Sequence, residues 1–183
     1  MAPKNSNKLA SENQTISVEK QWAGILFMRI LVFAIPLVAL LMIVYHIGST
    51  WFPVFGPILH QNVHIAFAFV LLFLVAVKKS NSRLGLLYLT GLAAGLIVTI
   101  YIHVNVERLD MYAGFPEPMD IAIGLILVAL VVFLTLKIWG AVFPILLGIS
   151  VLYALFGHLI PGALGHAYMN PKLVLSNLGI GLT

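Results

Sequence analysis

Five long apolar segments, separated by short polar or turn-rich stretches, dominate the hydrophobic pattern of the chain. About 20 consecutive apolar residues are enough to cross the ~30 Å hydrocarbon core of a bilayer as a helix. The pattern therefore predicts an all-α integral membrane helical bundle with about five transmembrane helices. The predicted spans are 22–47, 60–77, 84–103, 119–136 and 138–157.

The fourth and fifth apolar segments are nearly continuous and are separated only around Lys137. A single helix of about 38 residues would reach about 57 Å, far more than a bilayer needs. Two spans joined by a tight turn are therefore predicted.

The composition agrees with lipid as the main solvent of the chain. Of 183 residues, 61% are hydrophobic and 9% are charged, whereas soluble domains average about 45–50% apolar and 25% charged. This excess excludes an ordinary soluble enzyme, and we expect no enzymatic activity. The absence of cysteine excludes disulfides, thiolate metal sites and cysteine nucleophiles.

The basic residues predict the orientation of the spans. Residues 1–21 are polar and are predicted to form a disordered cytoplasmic tail. By the positive-inside rule, the side with more Lys and Arg is cytoplasmic, so the N-terminus is inside and the chain is multi-pass. Seven basic residues flank the spans on that side, against Arg108 and Lys172 on the other: Lys4, Lys8, Lys20, Lys78, Lys79, Arg83 and Lys137.

A short amphipathic segment follows the fifth span. Asn170 suits the N-cap of a helix and Pro171 its first position. Leu175 and Leu178 fall on the same face as Pro171. The pattern predicts a short external interfacial helix rather than a sixth span.

Polar residues within or near the spans are candidates for chemistry. Arg29 lies close to a span end and is best explained by snorkelling to the head groups. Asp120 opens the fourth span and is expected to cap its helix dipole, with sodium ligation as the lesser alternative. The pair Gly91 and Gly95 allows close helix packing, within this chain in preference to a dimer.

Six histidines fall at the predicted outer ends of the spans or in outer loops. His60 and His64 share a helix face at a spacing that can chelate a metal, and axial imidazoles can hold a haem. The alternative is that these histidines are amphipathic interfacial residues, which is the preferred interpretation, so no catalytic, metal or cofactor site is predicted in this chain. The six are His46, His60, His64, His103, His158 and His166.

Two predicted external loops could form a docking surface for a partner protein. Loop 48–59 carries exposed aromatic residues, which suit either the aromatic belt of a membrane protein or an interface. Loop 104–118 is long and holds charges of both signs. The candidate docking residues are Trp51, Phe52, Glu107, Arg108, Asp110 and Glu117.

The C-terminal half resembles a known transporter family. The runs YAGFPEPMDIAIG at 112–124, GAVFPIL at 140–146 and YALFGHLIPGALGH at 153–166 resemble TRAP (tripartite ATP-independent periplasmic) transporter permeases of the type in which small and large membrane subunits are fused. The resemblance covers about residues 100–178, and the first three spans only by layout. It departs from the family in having only Lys137 where a basic pair usually precedes the fifth span.

The resemblance implies a division of the chain and a function. Residues 22–137 would be a four-helix bundle like the small subunit, and 138–183 a fifth helix plus an interfacial helix leading towards a large-subunit-like region. The expected function is a scaffold of a sodium-driven importer of organic acids in the bacterial inner membrane. The hairpins that bind sodium and substrate would belong to a large membrane subunit, and a periplasmic binding protein, of the TAXI type, would deliver the substrate. The alternative is a haem-binding membrane anchor of an oxidoreductase.

Overall fold

The computed structural model describes residues 4–52, 55–112 and 115–179, with side chains throughout except at 4–18, 20, 23, 82 and 176. These residues form six α-helices and two single 3₁₀ turns, Gly157–Leu159 and Gly162–Leu164. The helices are α1 (Lys4–Trp51), α2 (Pro57–Lys79), α3 (Ser82–Met111), α4 (Pro118–Ile138), α5 (Val142–Phe156) and α6 (Pro171–Gly179).

Five of the helical segments are long and apolar enough to cross a membrane: Gly24–Trp51, Pro57–Lys79, Arg83–Met111, Pro118–Ile138 and Val142–Leu159. This confirms the predicted helical membrane protein. The tight turn predicted between the last two spans is present at residues 139–141, where Gly140 has a φ of 80°. That left-handed conformation is one that glycine adopts without steric cost.

Some helices extend into regions that the sequence predicted as tail or loop. Helix α1 begins at Lys4, so residues 4–21 are helical and not the predicted disordered tail. The apolar part of α1 supplies the helix nucleus, and extending an existing helix through polar residues needs no new nucleation. Similarly, α1 continues to Trp51 and α3 to Met111, so parts of both predicted outer loops are helical.

The core of the molecule lies between α2, α3 and α4. Helix α3 packs against α2 on one side and α4 on the other, and α1 adds Leu31 to the same cluster. The buried residues of these three helices in the cluster are Phe69, Phe73, Val77, Tyr88, Val98, Ile102, Leu109, Ile123, Leu127 and Leu134.

Glycines allow α2 and α3 to approach closely. A Cβ added to Gly91 would lie 2.5 Å from the Phe73 ring, and one added to Gly95 would lie 2.7 Å from the Phe69 ring. The two aromatic rings therefore occupy the space that the glycines leave, which confirms the expected packing within the chain.

The short helix α6 is present where the sequence predicts it. The Asn170 side chain caps it by accepting a hydrogen bond from the Lys172 backbone N–H at 2.9 Å. Helix α6 packs against α4, with the backbone of Gly179 directly against that of Gly124. The segment after the fifth span is thereby attached to the four-helix part of the chain.

Candidate functional site

A cluster of charges joins the end of α3 to the start of α4. Asp120, whose side chain is 2% exposed, accepts hydrogen bonds from both terminal nitrogens of Arg108, at 3.0 and 2.7 Å. The Tyr101 hydroxyl donates to the same carboxylate at 2.7 Å and in turn accepts from Arg108 at 3.0 Å. We call Tyr101, Arg108, Glu117 and Asp120 the charge clamp.

The start of α4 completes the clamp. The backbone N–H of Glu117 donates to Asp120 at 2.9 Å, and the Glu117 carboxylate lies 3.6 Å from Arg108. Asp120 is thus the expected first-turn acid of α4, where a carboxylate is favoured by the helix dipole. With the contacts from Arg108 and Tyr101, four hydrogen bonds occupy its two oxygens, about as many as a carboxylate accepts.

The clamp is therefore suited to holding two helices together and not to binding an ion. A bidentate Arg–carboxylate pair is strong and fixed in geometry, and an acid with all its acceptor positions filled has none left for sodium. Sequence analysis identified Asp120 as a cap and Arg108 as a docking residue but did not pair them. The available signal was an arginine near the end of one span and an acid at the start of the next.

The clamp separates the six predicted docking residues into two groups. The Arg108 side chain turns towards Asp120 and is only 28% exposed, whereas the Glu117 side chain is 64% exposed and pairs with Arg108. The other four, Trp51, Phe52, Glu107 and Asp110, are exposed.

The four residues outside the clamp lie at one end of the bundle. Trp51 and Phe52 are 78% and 76% exposed. Glu107 and Asp110 border a cavity of about 290 Å³ beside the start of α2, at Gly56–Leu59. Among the described residues, two acids and two aromatic side chains are thus exposed without a side-chain hydrogen bond or ion pair, whereas Arg108 and Glu117 are engaged in the charge clamp.

Three of the histidines meet between the end of α1 and the start of α2. His46 Nε2 lies 2.9 Å from His64 Nδ1, and the Tyr45 hydroxyl lies 3.1 Å from His60 Nδ1. His46 Nδ1 is 2.7 Å from the Met42 carbonyl, which can only accept, so this nitrogen carries a proton. Between His46 Nε2 and His64 Nδ1, one nitrogen donates and the other accepts, according to the tautomers of the two rings.

This histidine arrangement does not have the geometry of a shared metal site. Two nitrogens bound to one tetrahedral zinc would lie about 3.3 Å apart, farther than the observed His46–His64 hydrogen bond. Within the described part of the chain, no group of three or more His, Asp or Glu residues could hold a metal ion. His103 lies apart from the cluster, with its ring edge-on to Phe55 at 5.6 Å.

A buried hydrogen bond between two helices was not identified from the sequence. The Asn62 side-chain amide donates to the Thr99 carbonyl at 2.8 Å, joining α2 to α3 at a buried position. Beside it, residues of α1, α2 and α3 line an open apolar groove of about 380 Å³. A polar contact between helices stabilises membrane packing, because the separated groups would face hydrocarbon.

The contacts of His166 hold the segment after α5 against the end of that helix. His166 places its two ring nitrogens 2.9 Å from the Tyr153 carbonyl and 2.6 Å from the Ala167 carbonyl. Both partners only accept, so these bonds favour the protonated ring and raise the pKa of His166. Gly157 leaves room for the ring, and the Tyr153 hydroxyl donates to the Leu164 carbonyl.

Comparisons of the chain with known protein families, with characterised proteins and with solved structures find no match.

Proposed function

We propose that the chain is a membrane scaffold subunit of a sodium-driven, binding-protein-dependent importer of organic acids, of the TRAP type, in the inner membrane of a bacterial cell. The resemblance of residues 112–166 to fused TRAP permeases supports this assignment. The partners would be a large membrane subunit and a periplasmic binding protein. The chain itself would carry no catalytic residue, substrate site or cofactor.

The observation that carries the proposal is that the Asp120 carboxylate is buried and fully hydrogen-bonded. It is the only buried carboxylate among the residues that the structure describes, and its oxygens are filled by Arg108, Tyr101 and the Glu117 backbone. Sodium-coupled transport needs open oxygen ligands near the membrane midplane, usually at broken helices. A bundle whose buried acid is used for packing is suited to a frame against which another subunit moves.

The outward faces of α1 and α5 also suit a scaffold. In α5, which is described over its whole length, no residue is buried. In the most apolar stretch of each span, only 6% of the residues are buried in the spans of α1 and α5, whereas 33% are buried in the span of α3. These two helices therefore offer long apolar faces to lipid or to a neighbouring subunit.

The function is tested by reconstitution. Proteoliposomes that contain only this chain and a binding protein should show no sodium-dependent uptake of organic acids. Uptake should appear when the large subunit that co-purifies from native membranes is added. Robust uptake by the lone chain would contradict the scaffold assignment.

The docking surface is tested in the same assay. The double variant Glu107→Ala with Asp110→Ala removes two exposed acids without disturbing the charge clamp. We expect it to raise the binding-protein concentration needed for half-maximal uptake, with the maximal rate retained. Lys172→Ala, which removes an exposed charge elsewhere, is the control. If the double variant behaves like this control, the docking role is wrong.

The second candidate, a haem-binding membrane anchor, rests on the meeting of His46, His60 and His64. It requires a Soret band in protein purified under haem-replete conditions. We expect no band. A stoichiometric haem that is lost when His46, His60, His64 and His103 are replaced by alanine would favour this candidate over the scaffold.

A further inference from the structure

We propose that a cavity at the end of the bundle opposite the charge clamp binds the head group of an anionic phospholipid. The cavity lies where α2 ends, α3 begins and α4 ends, and we call this end of the bundle the lysine end. Its volume is about 430 Å³. This inference is independent of the transport function.

The cavity is amphipathic in the way that a phospholipid requires. Its walls are mostly apolar, with Leu72, Val75, Ala76, Leu84, Tyr88, Leu134 and Ile138. Its polar lining comes from Lys79 and Ser80 at the end of α2 and from Lys137 near the end of α4. The positive charges of these lysines, in the last turns of two helices, interact favourably with the helix dipoles even when no ligand is bound.

These lysines have no carboxylate partner in the described part of the chain. The ion pairs found there both involve Arg108. Glu107 and Asp110 lie near the end of α3, and Glu117 and Asp120 at the start of α4, whereas the cavity borders the opposite ends of these helices. Helix α3 has 30 residues, so about 45 Å separates its ends. Lys79 and Lys137 are both exposed, so an anion from outside the helices that form the cavity can reach them.

An anionic lipid is the occupant that fits both the charge and the location. The positive-inside rule puts the lysine end in the cytoplasmic leaflet, where anionic lipids are concentrated and basic pockets between helices bind their head groups. A phosphate between Lys79 and Lys137 would leave the acyl chains against the apolar walls. Inorganic phosphate would satisfy the lysines but not the walls.

The test compares two double variants that remove the same charge. Lys79→Gln with Lys137→Gln changes the cavity, whereas Lys78→Gln with Arg83→Gln changes exposed basic residues at the same end that do not line it. Native mass spectrometry in a neutral detergent measures binding of phosphatidylglycerol, phosphatidylcholine and inorganic phosphate. Melting temperatures without lipid verify that both variants fold.

We expect the wild type to bind phosphatidylglycerol in preference to phosphatidylcholine and to inorganic phosphate. The cavity variant should lose about thirty-fold in affinity for phosphatidylglycerol, since each of the two basic residues near an anionic surface contributes about fivefold. The control variant should lose less than threefold. Equal losses in both variants, no preference over phosphatidylcholine, or equally tight binding of inorganic phosphate would each overturn the proposal.

Discussion

The three central helices and the two flanking ones are similar in hydropathy but differ in how they are held. Between α2, α3 and α4 there are glycine–aromatic contacts, the Asn62–Thr99 hydrogen bond and the charge clamp. Helix α5 has no buried residue over its described length, and α1 contributes Leu31 alone to the core cluster.

The difference shows that hydrophobicity does not determine which helices associate in a membrane. Lipid tails are as apolar as leucine, so helices associate through close packing and polar contacts. The central helices have both kinds of contact, whereas α1 has polar contacts with α2 near its end, at Tyr45 and His46. The flanking helices keep apolar faces open to lipid or to another subunit.

The largest effect is expected from breaking the charge clamp. Asp120→Ala leaves the Arg108 guanidinium half-buried without its main partner, which typically costs about 3–5 kcal/mol of unfolding free energy. Unfolding in mixed micelles with increasing denaturing detergent measures this loss. Asp110→Ala removes an exposed acid two residues from Arg108 and should change stability by less than about 0.5 kcal/mol.

A double-variant cycle sharpens the result. Arg108→Met combined with Asp120→Leu removes both charges, so no buried charge is left unpaired. If Arg108 and Asp120 act as a pair, the double variant should be less destabilised than the sum of the two single variants. Strict additivity would show that the two side chains contribute independently.

A smaller effect on the unfolding free energy is expected at the glycines, with opposite signs in the central helices and in α5. Gly91→Ala forces a methyl group into the Phe73 ring and should destabilise the protein by about 1–3 kcal/mol. Gly148→Ala on α5 meets no atom within 4 Å and should be neutral or stabilise by up to about 1 kcal/mol through helix propensity. The same unfolding assay measures both, and destabilisation by Gly148→Ala would mean that α5 is packed after all.

The smallest effect is expected in the segment that folds over the end of α5. Its hydrogen bonds raise the pKa of His166 above the ordinary 6.5. A raised folded-state pKa means that the stabilisation is fully present below the unfolded value of 6.5 and is lost as the pH rises through the folded value.

The rate of hydrogen–deuterium exchange of residues 157–167, corrected for its intrinsic pH dependence, should therefore increase as the pH rises from 6.5 through the folded-state pKa of His166. His166→Gln should remove the pH dependence. A dependence that persists in this variant would assign the transition to another group, and His158 could then be tested in the same way.

The sequence predicted the spans well because bilayer thickness imposes a length and hydropathy that can be counted along the chain. It also predicted the turn between the fourth and fifth spans, the N-cap at Asn170 and the in-chain packing of Gly91 and Gly95. Each of these features depends on residues close together in sequence.

Features that depend on tertiary contacts were missed or misplaced. The polar residues from Asn105 to Asp110 suggested a loop, yet they continue α3, with Arg108 turned towards Asp120. That pairing joins residues 12 positions apart on different helices, so no periodicity reveals it. For the same reason, the aromatic partners of the glycines and the cavity between Lys79 and Lys137 could not be read from the pattern.

The proposed scaffold role predicts that α5 faces a second subunit, and photo-crosslinking in native membranes tests this prediction most directly. A photo-reactive phenylalanine derivative replaces Ile149, which is 58% exposed on α5, or Phe73, which is fully buried, as the control. From position 149 we expect an adduct with a large membrane subunit that carries broken helical hairpins, identified by mass spectrometry. From position 73 we expect adducts within the chain only. Adducts with lipid alone from position 149, and also from Phe143 and Leu152 on the same helix, would contradict the prediction.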